Sequence, residues 1–276
     1  MGILGYLLDK RFIVICVIVL FTFTCIYNLS VQAENLLTDR KAAIIIDDFG
    51  GVAKGTQEFL ESDIPITVAV MPFLEQSTEI AEQANELGFE VIIHLPMEPK
   101  KGKRSWLGPN PITSDLSQDE VKQRVEEAIE NVPHAKGINQ HMGSKIVEEK
   151  ETITTILNVI KDHDLYIVDS GTNPHSYISD ISEQLGVPFA KRDLFLDNTL
   201  SSEDHVYDKA IQLADLATKG GSVIGIGHVG IHGIETYQAL EKAHSYFIDN
   251  RVDIVPTSQL IKSDIDKNPD NFWSEY

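Results

Sequence analysis

A short, largely apolar run at residues 41–46 ends in two carboxylates, Asp47 and Asp48, and Phe49 separates these from two glycines, Gly50 and Gly51. Because the apolar residues continue without alternation, the run predicts a strand that is buried on both faces. Two adjacent acids repel each other unless a cation or a proton separates them. Adjacent side chains on an extended chain also point in different directions, so one acid can ligate a metal while the other acts as a general base. The alternative is an acidic turn after the strand.

The same succession of a short apolar run and an amphipathic stretch recurs along residues 40–262 without a break in composition. Strands are predicted at residues 41–46, 66–70, 89–93, 137–139, 165–168, 188–190, 222–226 and 252–255. Seven or eight strand–helix units of this kind predict parallel strands with helices outside them. We therefore expect an α/β fold, an incomplete or distorted seven-stranded (β/α) barrel, in one domain over residues 40–262, followed by a polar tail at residues 263–276. A doubly wound open sheet is the alternative.

The first 33 residues have the pattern of a signal peptide. Lys10 and Arg11 precede an apolar run over residues 12–29, and residues 31–33 resemble a signal-peptidase site. The run is also about long enough to span a bilayer, so an uncleaved N-terminal anchor is the alternative. Both interpretations predict that the rest of the chain is extracytoplasmic, either secreted or associated with the cell envelope. Contact with a membrane is expected only through an uncleaved N-terminal segment.

Charge and cysteine content limit the partners and the metal ligands of this predicted exported region. The formal net charge of the chain is −19, and removing residues 1–33, which carry a net charge of +1, leaves −20. So acidic a surface repels nucleic acid and strongly anionic polymers, and neutral or partly cationic glycans are easier partners. Both cysteines, Cys16 and Cys25, lie in the N-terminal segment. Any metal site in the exported region therefore uses histidine, aspartate or glutamate.

Residues suited to catalysis follow the predicted strands. In a (β/α) barrel the carboxyl ends of the strands meet at one rim, where catalytic residues lie. The residues at these ends are Asp47, Asp48, His94, Glu98, His141, Asp169, Arg192, Asp193 and His228. A carboxylate with imidazoles suits Zn²⁺ or a similar transition ion, and water activated by such an ion can attack a carbonyl. Asp48 and His94 are expected ligands. His141 is the first choice for the third ligand, and Glu98 is the alternative.

Four segments carry a family resemblance. Residues 46–50, 94–99, 140–144 and 226–228 resemble the divergent branch of the polysaccharide deacetylases, which are metal-dependent carbohydrate esterases of the NodB-homology type. The resemblance extends over residues 40–261, nearly the whole predicted exported region. It implies a polysaccharide-deacetylase-like barrel that hydrolyses N- or O-acetyl groups of a cell-wall or exported polysaccharide. A catalytically inactive glycan-binding protein on the same scaffold is the alternative, and hydrolysis of a different bond is a third interpretation.

The resemblance also implies roles for individual residues. By position, Asp47 is the base that deprotonates water, and Asp48 and His94 are metal ligands. His228 is the general acid that protonates the departing amine or alkoxide. Zn²⁺ is the expected ion, and the expected partner is an acetylated polysaccharide or peptidoglycan.

The chain departs from the main family at three motifs. Glu98 stands where the main family has the second histidine of its metal pair, and a segment containing His141 replaces an Arg-Pro motif. An Asp-x-x-Asp-Trp motif is reduced to Asp169. Asp169 or Asp197 is expected to orient an imidazole. Together with Glu98 and Arg192, these two acids are further candidates for contacts with the metal or the substrate.

Overall fold

The computed structural model describes residues 40–198 and 200–261, together with residues 13, 15 and 20–22. Apart from the latter positions, the predicted signal peptide or anchor at residues 1–33 lies outside the described residues, as does the predicted tail at residues 263–276. Both remain predictions. Within the part of the chain that is described, no helix combines the length and the apolar character that a membrane crossing requires.

Strands and helices alternate through residues 40–261. The strands are β1 (Lys41–Phe49), β2 (Thr67–Val70), β3 (Glu90–Met97), β4 (Gly137–Met142), β5 (Tyr166–Asp169), β6 (Phe189–Lys191), β7 (Leu194–Phe195), β8 (Ser222–His228) and β9 (Asp253–Ile254). The α-helices are α1 (Thr56–Leu60), α2 (Ser77–Glu86), α3 (Gln118–Asn131), α4 (Lys150–Asp162), α5 (Ile178–Leu185), α6 (Glu203–Gly220) and α7 (Gly233–Asp249). Short 3₁₀ helices are formed by Arg104–Trp106, Ile146–Glu148 and Thr257–Gln259.

The strands form one parallel sheet in the order β6-β5-β4-β3-β2-β1-β8-β7, and β9 pairs with the start of β1. The edge strands β6 and β7 follow each other in the chain with only Arg192 and Asp193 between them. Because successive Cα atoms lie about 3.8 Å apart, this link holds the two edges close together and the sheet is curled. The predicted incomplete (β/α) barrel is confirmed.

The strand count differs from the prediction, because the described sheet has nine strands and not seven. The two-residue strand β7 carries no periodic signal and is absent from the predicted strands, whereas the short strands β6 and β9 are predicted and both join the sheet.

Side chains of the strands alternate between two buried clusters. The larger cluster lies between the sheet and the helices. The smaller one fills the inside of the barrel and consists of Ala43, Ile45, Ala69, Ile92, Tyr166, Val168, Ile224 and Ile226. Since side chains two residues apart share a face, Asp47, His94 and His228 continue the inward face at the carboxyl ends of β1, β3 and β8. The fold therefore brings these three residues to one end of the barrel.

Four strands extend at least two residues further at their carboxyl ends than predicted, and β1 reaches Phe49 and β8 reaches His228. Strand β3 continues to Met97 and β4 to Met142, and the two are paired from Ile93 onwards, with His94 opposite Asn139. The prediction that His94, His141 and His228 lie beyond their strands is therefore wrong. Backbone pairing holds the ends of these strands, so these imidazoles project from the sheet and not from loops.

The other end of the barrel is closed by a cluster of hydrogen-bonded polar residues, of which Thr67, Thr257 and Tyr166 are buried. The hydroxyl oxygens of Thr67 and Thr257 lie 2.9 Å apart, which ties the last 3₁₀ helix to the start of β2. The Tyr166 hydroxyl donates to Oε1 of Glu90 at 2.8 Å, and the Ser258 backbone N–H donates to the same oxygen at 2.9 Å. With this end filled, the carboxyl ends of the strands form the accessible end of the barrel.

Candidate functional site

Asp47 and Asp48 reach the same imidazole because β1 is irregular at its end. Relative to β2, β1 contains one extra residue, so both acids lie opposite Ala69. Asp48 has a φ of 72°, in the left-handed region, and such a bulge re-aims a side chain. Oδ1 of Asp47 lies 3.4 Å from Nδ1 of His94, and Oδ1 of Asp48 lies 3.4 Å from Nε2 of the same ring. The two acids therefore take opposite sides of one histidine.

Asp48, His94 and His141 present three ligand-type atoms to one another. Nε2 of His94 lies 3.1 Å from Nδ1 of His141, which lies 3.1 Å from Oδ1 of Asp48. A tetrahedral zinc ion with bonds of about 2.0–2.1 Å separates its ligand atoms by about 3.3 Å. The observed separations of 3.1–3.4 Å therefore fit a single ion of this kind.

The far nitrogen of each imidazole faces a carbonyl oxygen. Nδ1 of His94 lies 2.7 Å from Oδ1 of Asn139, and Nε2 of His141 lies 3.0 Å from the backbone oxygen of Trp106. A carbonyl oxygen only accepts, so these two nitrogens carry the hydrogens, and neutral rings direct lone pairs toward Asp48. Oδ1 of Asp48 is buried and accepts no hydrogen bond meeting ordinary geometry from any described residue. Oδ1 of Asp48, Nε2 of His94 and Nδ1 of His141 thus bring lone pairs close together. A positive charge among these atoms is required to offset their mutual repulsion.

The pKa values of Asp48 and His94 agree with this requirement. Burial by itself raises the pKa of Asp48, but the neighbouring His141 and His94 hold it well below its usual range. Burial by itself lowers the pKa of His94, yet the charges of Asp47 and Asp48 raise it above its usual value. In the absence of a metal the Asp48 carboxylate keeps its charge and favours the protonated form of His94. A divalent transition ion supplies the same positive charge, so the residues present fit such an ion.

Asp47 lies beside this cluster in a buried position. Its Oδ1 accepts a hydrogen bond from Nδ2 of Asn139 at 2.8 Å, and its side chain is 2 % exposed. Burial raises the pKa of Asp47 above its usual value, and the attraction of His94 and His228 does not offset this. A carboxylate with a raised pKa is a stronger base, as a general base requires.

His228 faces Asp47 from strand β8. Its Nε2 lies 3.9 Å from Oδ2 of Asp47, and its Nδ1 lies 2.6 Å from Oδ1 of Asp197. The other oxygen of Asp197 accepts hydrogen bonds of 2.8 Å from the His228 backbone N–H and the Thr236 hydroxyl. Burial lowers the pKa of His228, but the bond to Asp197 and the nearby negative charges raise it to about 9. His228 is therefore a cation at neutral pH, and its acidic partner is Asp197, not Asp169.

A cleft of about 530 Å³ opens beside these groups. Asp48, His228, Phe195 and Ile231 are among its lining residues. The Phe195 ring is stacked on His228, with centroids 5.9 Å apart and an interplanar angle of 29°. Ile231 is 77 % exposed at the same cleft. The cleft thus combines apolar walls with titratable groups, as ligand sites commonly do.

The structure separates Glu98 from the cluster. Its Oε2 accepts hydrogen bonds of 2.9 Å from the backbone N–H and the hydroxyl of Ser114, and its Oε1 lies 2.8 Å from the Lys145 ammonium. These contacts hold the loop after β3 to the segment after β4. The third ligand-type atom near Asp48 belongs to His141, the first choice of the sequence analysis.

Asp169 and Arg192 also lie outside the cluster. Oδ1 of Asp169 accepts from Nε2 of Gln140 and from the Gly171 N–H, on the side of the sheet away from the barrel interior. The Arg192 guanidinium carbon lies 3.7 Å from the centre of the Phe195 ring. Arg192 therefore supports a residue of the cleft without reaching the ligand-type atoms.

Sequence reasoning missed Asn139, whose side chain is hydrogen-bonded to both His94 and Asp47. Asn139 was predicted as the last residue of its strand, and no role was expected for it. Its position two residues before His141 was the available signal, since both side chains share one face of an extended strand.

The curled parallel barrel carries Asp48, His94 and His141 at its rim, next to the pair formed by Asp47 and His228. This arrangement is typical of metal-assisted hydrolases. The chain belongs to the divergent polysaccharide deacetylase family, whose model matches residues 44–261. It is 32% identical over 241 residues to the uncharacterized protein YibQ of Escherichia coli (strain K12), covering 83% of this chain and 74% of that protein.

Solved structures share the fold. An uncharacterized protein of Agrobacterium tumefaciens C58 aligns with a TM-score of 0.73 at 20% identity, over 80% of this chain and 88% of that one. A family 4 carbohydrate esterase from Streptomyces lividans, solved in complex with acetate, aligns with a TM-score of 0.51 at 12% identity, over 78% and 91% of the two chains. At these identities the likeness concerns the fold alone.

Proposed function

We propose that this protein is a metal-dependent hydrolase that removes acetyl groups from a cell-wall or exported polysaccharide outside the cytoplasmic membrane. The observation that carries the proposal is the convergence of Asp48, His94 and His141, with atoms 3.1–3.4 Å apart, beside the neighbouring pair of Asp47 and His228. Membership of the divergent polysaccharide deacetylase family supports a glycan substrate. The acetate held by the structurally similar Streptomyces lividans esterase supports an acetyl group as the part removed.

Asp48, His94 and His141 would hold the ion, most simply Zn²⁺. When bound, such an ion polarises a carbonyl group and makes water easier to deprotonate. Both imidazoles are already turned toward the ion by the hydrogen bonds on their far nitrogens. Little reorganisation of the side chains is then needed when the ion binds.

Asp47 acts as the general base. It takes a proton from the water that attacks the acetyl carbonyl carbon, and its buried position strengthens it for this role. His228, whose Nε2 lies 3.9 Å from Oδ2 of Asp47, acts as the general acid. As the bond between the acetyl carbon and the amine nitrogen or alkoxide oxygen breaks, Nε2 of His228 donates a proton to the departing atom, and acetate is the other product.

Asp197 keeps His228 protonated and oriented. Its carboxylate is fixed by the Thr236 hydroxyl and by the backbone N–H of His228, so the imidazole is held in one position. The apolar wall formed by Phe195 and Ile231 offers a surface for the faces of sugar rings. The net charge of −19 favours neutral or partly cationic glycans over anionic ones.

The test is release of acetate from acetylated chitooligosaccharides and from peptidoglycan by the full-length protein supplied with Zn²⁺. Asp47→Asn should lower turnover by about 10²- to 10⁴-fold, the usual contribution of a general base, and should retain the metal. Asp169→Asn is the matched control, because Asp169 is an equally buried strand-end acid that faces away from the cluster.

Equal activity of Asp47→Asn and wild type would refute the assignment of the base. Absence of acetate from every glycan, together with measurable glycan affinity, would replace the enzyme with a glycan-binding protein on the same scaffold.

A further inference from the structure

Asn139 joins the two halves of the site through one buried amide. The residue is 0% exposed and lies on β4 directly opposite His94 of β3. Its Oδ1 lies 2.7 Å from Nδ1 of His94, and its Nδ2 lies 2.8 Å from Oδ1 of Asp47. No described residue other than these two is hydrogen-bonded to the amide in the structure. Both ends of the side chain are therefore directed at functional groups.

The chemistry of these partners determines the orientation of the amide. The Asp47 carboxylate only accepts hydrogen bonds, so the NH₂ end of Asn139 must face it. The oxygen of the amide then faces His94, and an oxygen requires an N–H at Nδ1 of the ring. A neutral His94 is thereby limited to the tautomer whose Nε2 carries a lone pair, and that atom faces Asp48 and His141.

We propose that Asn139 is a positioning residue that holds His94 in its metal-binding tautomer and fixes the Asp47 carboxylate beside it. The effect of Asn139 on catalysis rests on the proposed function, whereas its effect on the tautomer of His94 does not. A single amide thus links a metal ligand to the base. Substituting it disturbs both, although Asn139 touches neither the ion nor the substrate.

Gln140 provides a matched control on the same strand. It is a buried amide, 1% exposed, and its side chain points to the other face. Its Nε2 donates to Asp169 and its Oε1 accepts from the Ser170 backbone N–H, so it links β4 to the end of β5. Gln140→Leu therefore measures the general cost of removing a buried amide from this strand. Asn139→Leu adds the loss of the contacts with His94 and Asp47.

The first measurement is the tautomer of His94 in the metal-free full-length protein, read from long-range ¹H–¹⁵N NMR spectra of ¹⁵N-histidine-labelled samples at a pH where the ring is neutral. Wild type and Gln140→Leu should show the hydrogen on Nδ1 of His94, and Asn139→Leu should show a mixture of both tautomers. A wild-type spectrum with the hydrogen on Nε2 would overturn the inference, whatever the variants do.

The second measurement is Zn²⁺ affinity by competition with a chelating dye. Loss of a residue that orients a ligand typically costs about 10- to 100-fold in metal affinity, and we expect this loss in Asn139→Leu but not in Gln140→Leu. Asn139→Asp keeps an oxygen facing Nδ1 of His94 and should recover affinity to within a few-fold of wild type. Equal affinities for Asn139→Leu and wild type would refute the positioning role.

These readouts separate the two proposals. Failure of the wild-type protein to release acetate would contradict the proposed function, and the tautomer of His94 would still decide the role of Asn139.

Discussion

Replacing Asp197 with asparagine removes the negative charge that holds the proton on His228. Oδ1 of Asp197 lies 2.6 Å from Nδ1 of His228. Asparagine has nearly the same shape as aspartate, so its amide oxygen can still accept a hydrogen bond from the Thr236 hydroxyl. The NH₂ end of an amide cannot accept the hydrogen from Nδ1 of His228, so the charge-assisted hydrogen bond is lost. The perturbation thus acts directly on His228, the proposed acid, and leaves the hydrogen bond between Asp47 and Asn139 in place.

The size of the effect follows from the pKa of His228. Burial lowers this pKa, but Asp197, together with the more distant Asp47 and Asp48, raises it from 6.5 to about 9. A general acid must be protonated, so activity is lost as the pH rises through its pKa. If the pKa returns to 6.5, the protonated fraction at pH 8 falls from about 0.9 to about 0.03, a loss of roughly 30-fold.

The assay is the pH dependence of kcat/KM for acetate release, beside an NMR titration of the His228 ring. Wild type should lose activity near pH 9 and Asp197→Asn at a lower pH. Thr236→Val is the control, since it removes one hydrogen bond to Asp197 without changing any charge. The reasoning would be refuted if kcat/KM fell at the same alkaline pH in Asp197→Asn and in the wild type. It would also be refuted if the His228 ring of the wild type titrated near pH 6.5.

Two further predictions concern stability and the residues behind the site. Gly137→Ala would place a Cβ in steric overlap with the Tyr166 ring, so its free energy of unfolding in urea should fall by about 1–3 kcal/mol. Gly220→Ala, whose Cβ meets nothing within 4 Å, should stay within about 0.5 kcal/mol, and equal losses would contradict the packing argument. Arg192→Met removes the guanidinium from the face of Phe195 and should cost about 1–2 kcal/mol by the same assay. Its metal content should not change, and loss of metal would make Arg192 part of the metal site.

The fold and the core of the site could be predicted because they depend on simple periodic signals. β-branched runs such as residues 44–46 specify buried parallel strands, and parallel strands bring their carboxyl ends to one rim. Asp48, His94 and His141 converge for that reason alone. The family resemblance added the expected roles of the residues, which geometry by itself does not assign.

Other features depend on contacts that are distant in sequence. The prolongation of β3 and β4 arises from their pairing with each other, which no local propensity encodes. Glu98 turns away from the cluster because Ser114 and Lys145, 16 and 47 residues further along the chain, bind its carboxylate. Asn139 escaped notice because an asparagine in a strand has no motif, and only its two partners reveal its role.

Metal content tests the central claim most directly. Mass spectrometry of the full-length protein, reconstituted with Zn²⁺ and then dialysed, should show a stoichiometric ion. The variants His94→Ala and His141→Ala should each lose the ion. The variant Glu98→Gln should retain the ion, because the Glu98 carboxylate contacts Ser114 and Lys145 and not the cluster. No bound ion in the wild type, or loss in Glu98→Gln with retention in His141→Ala, would contradict the account of this site.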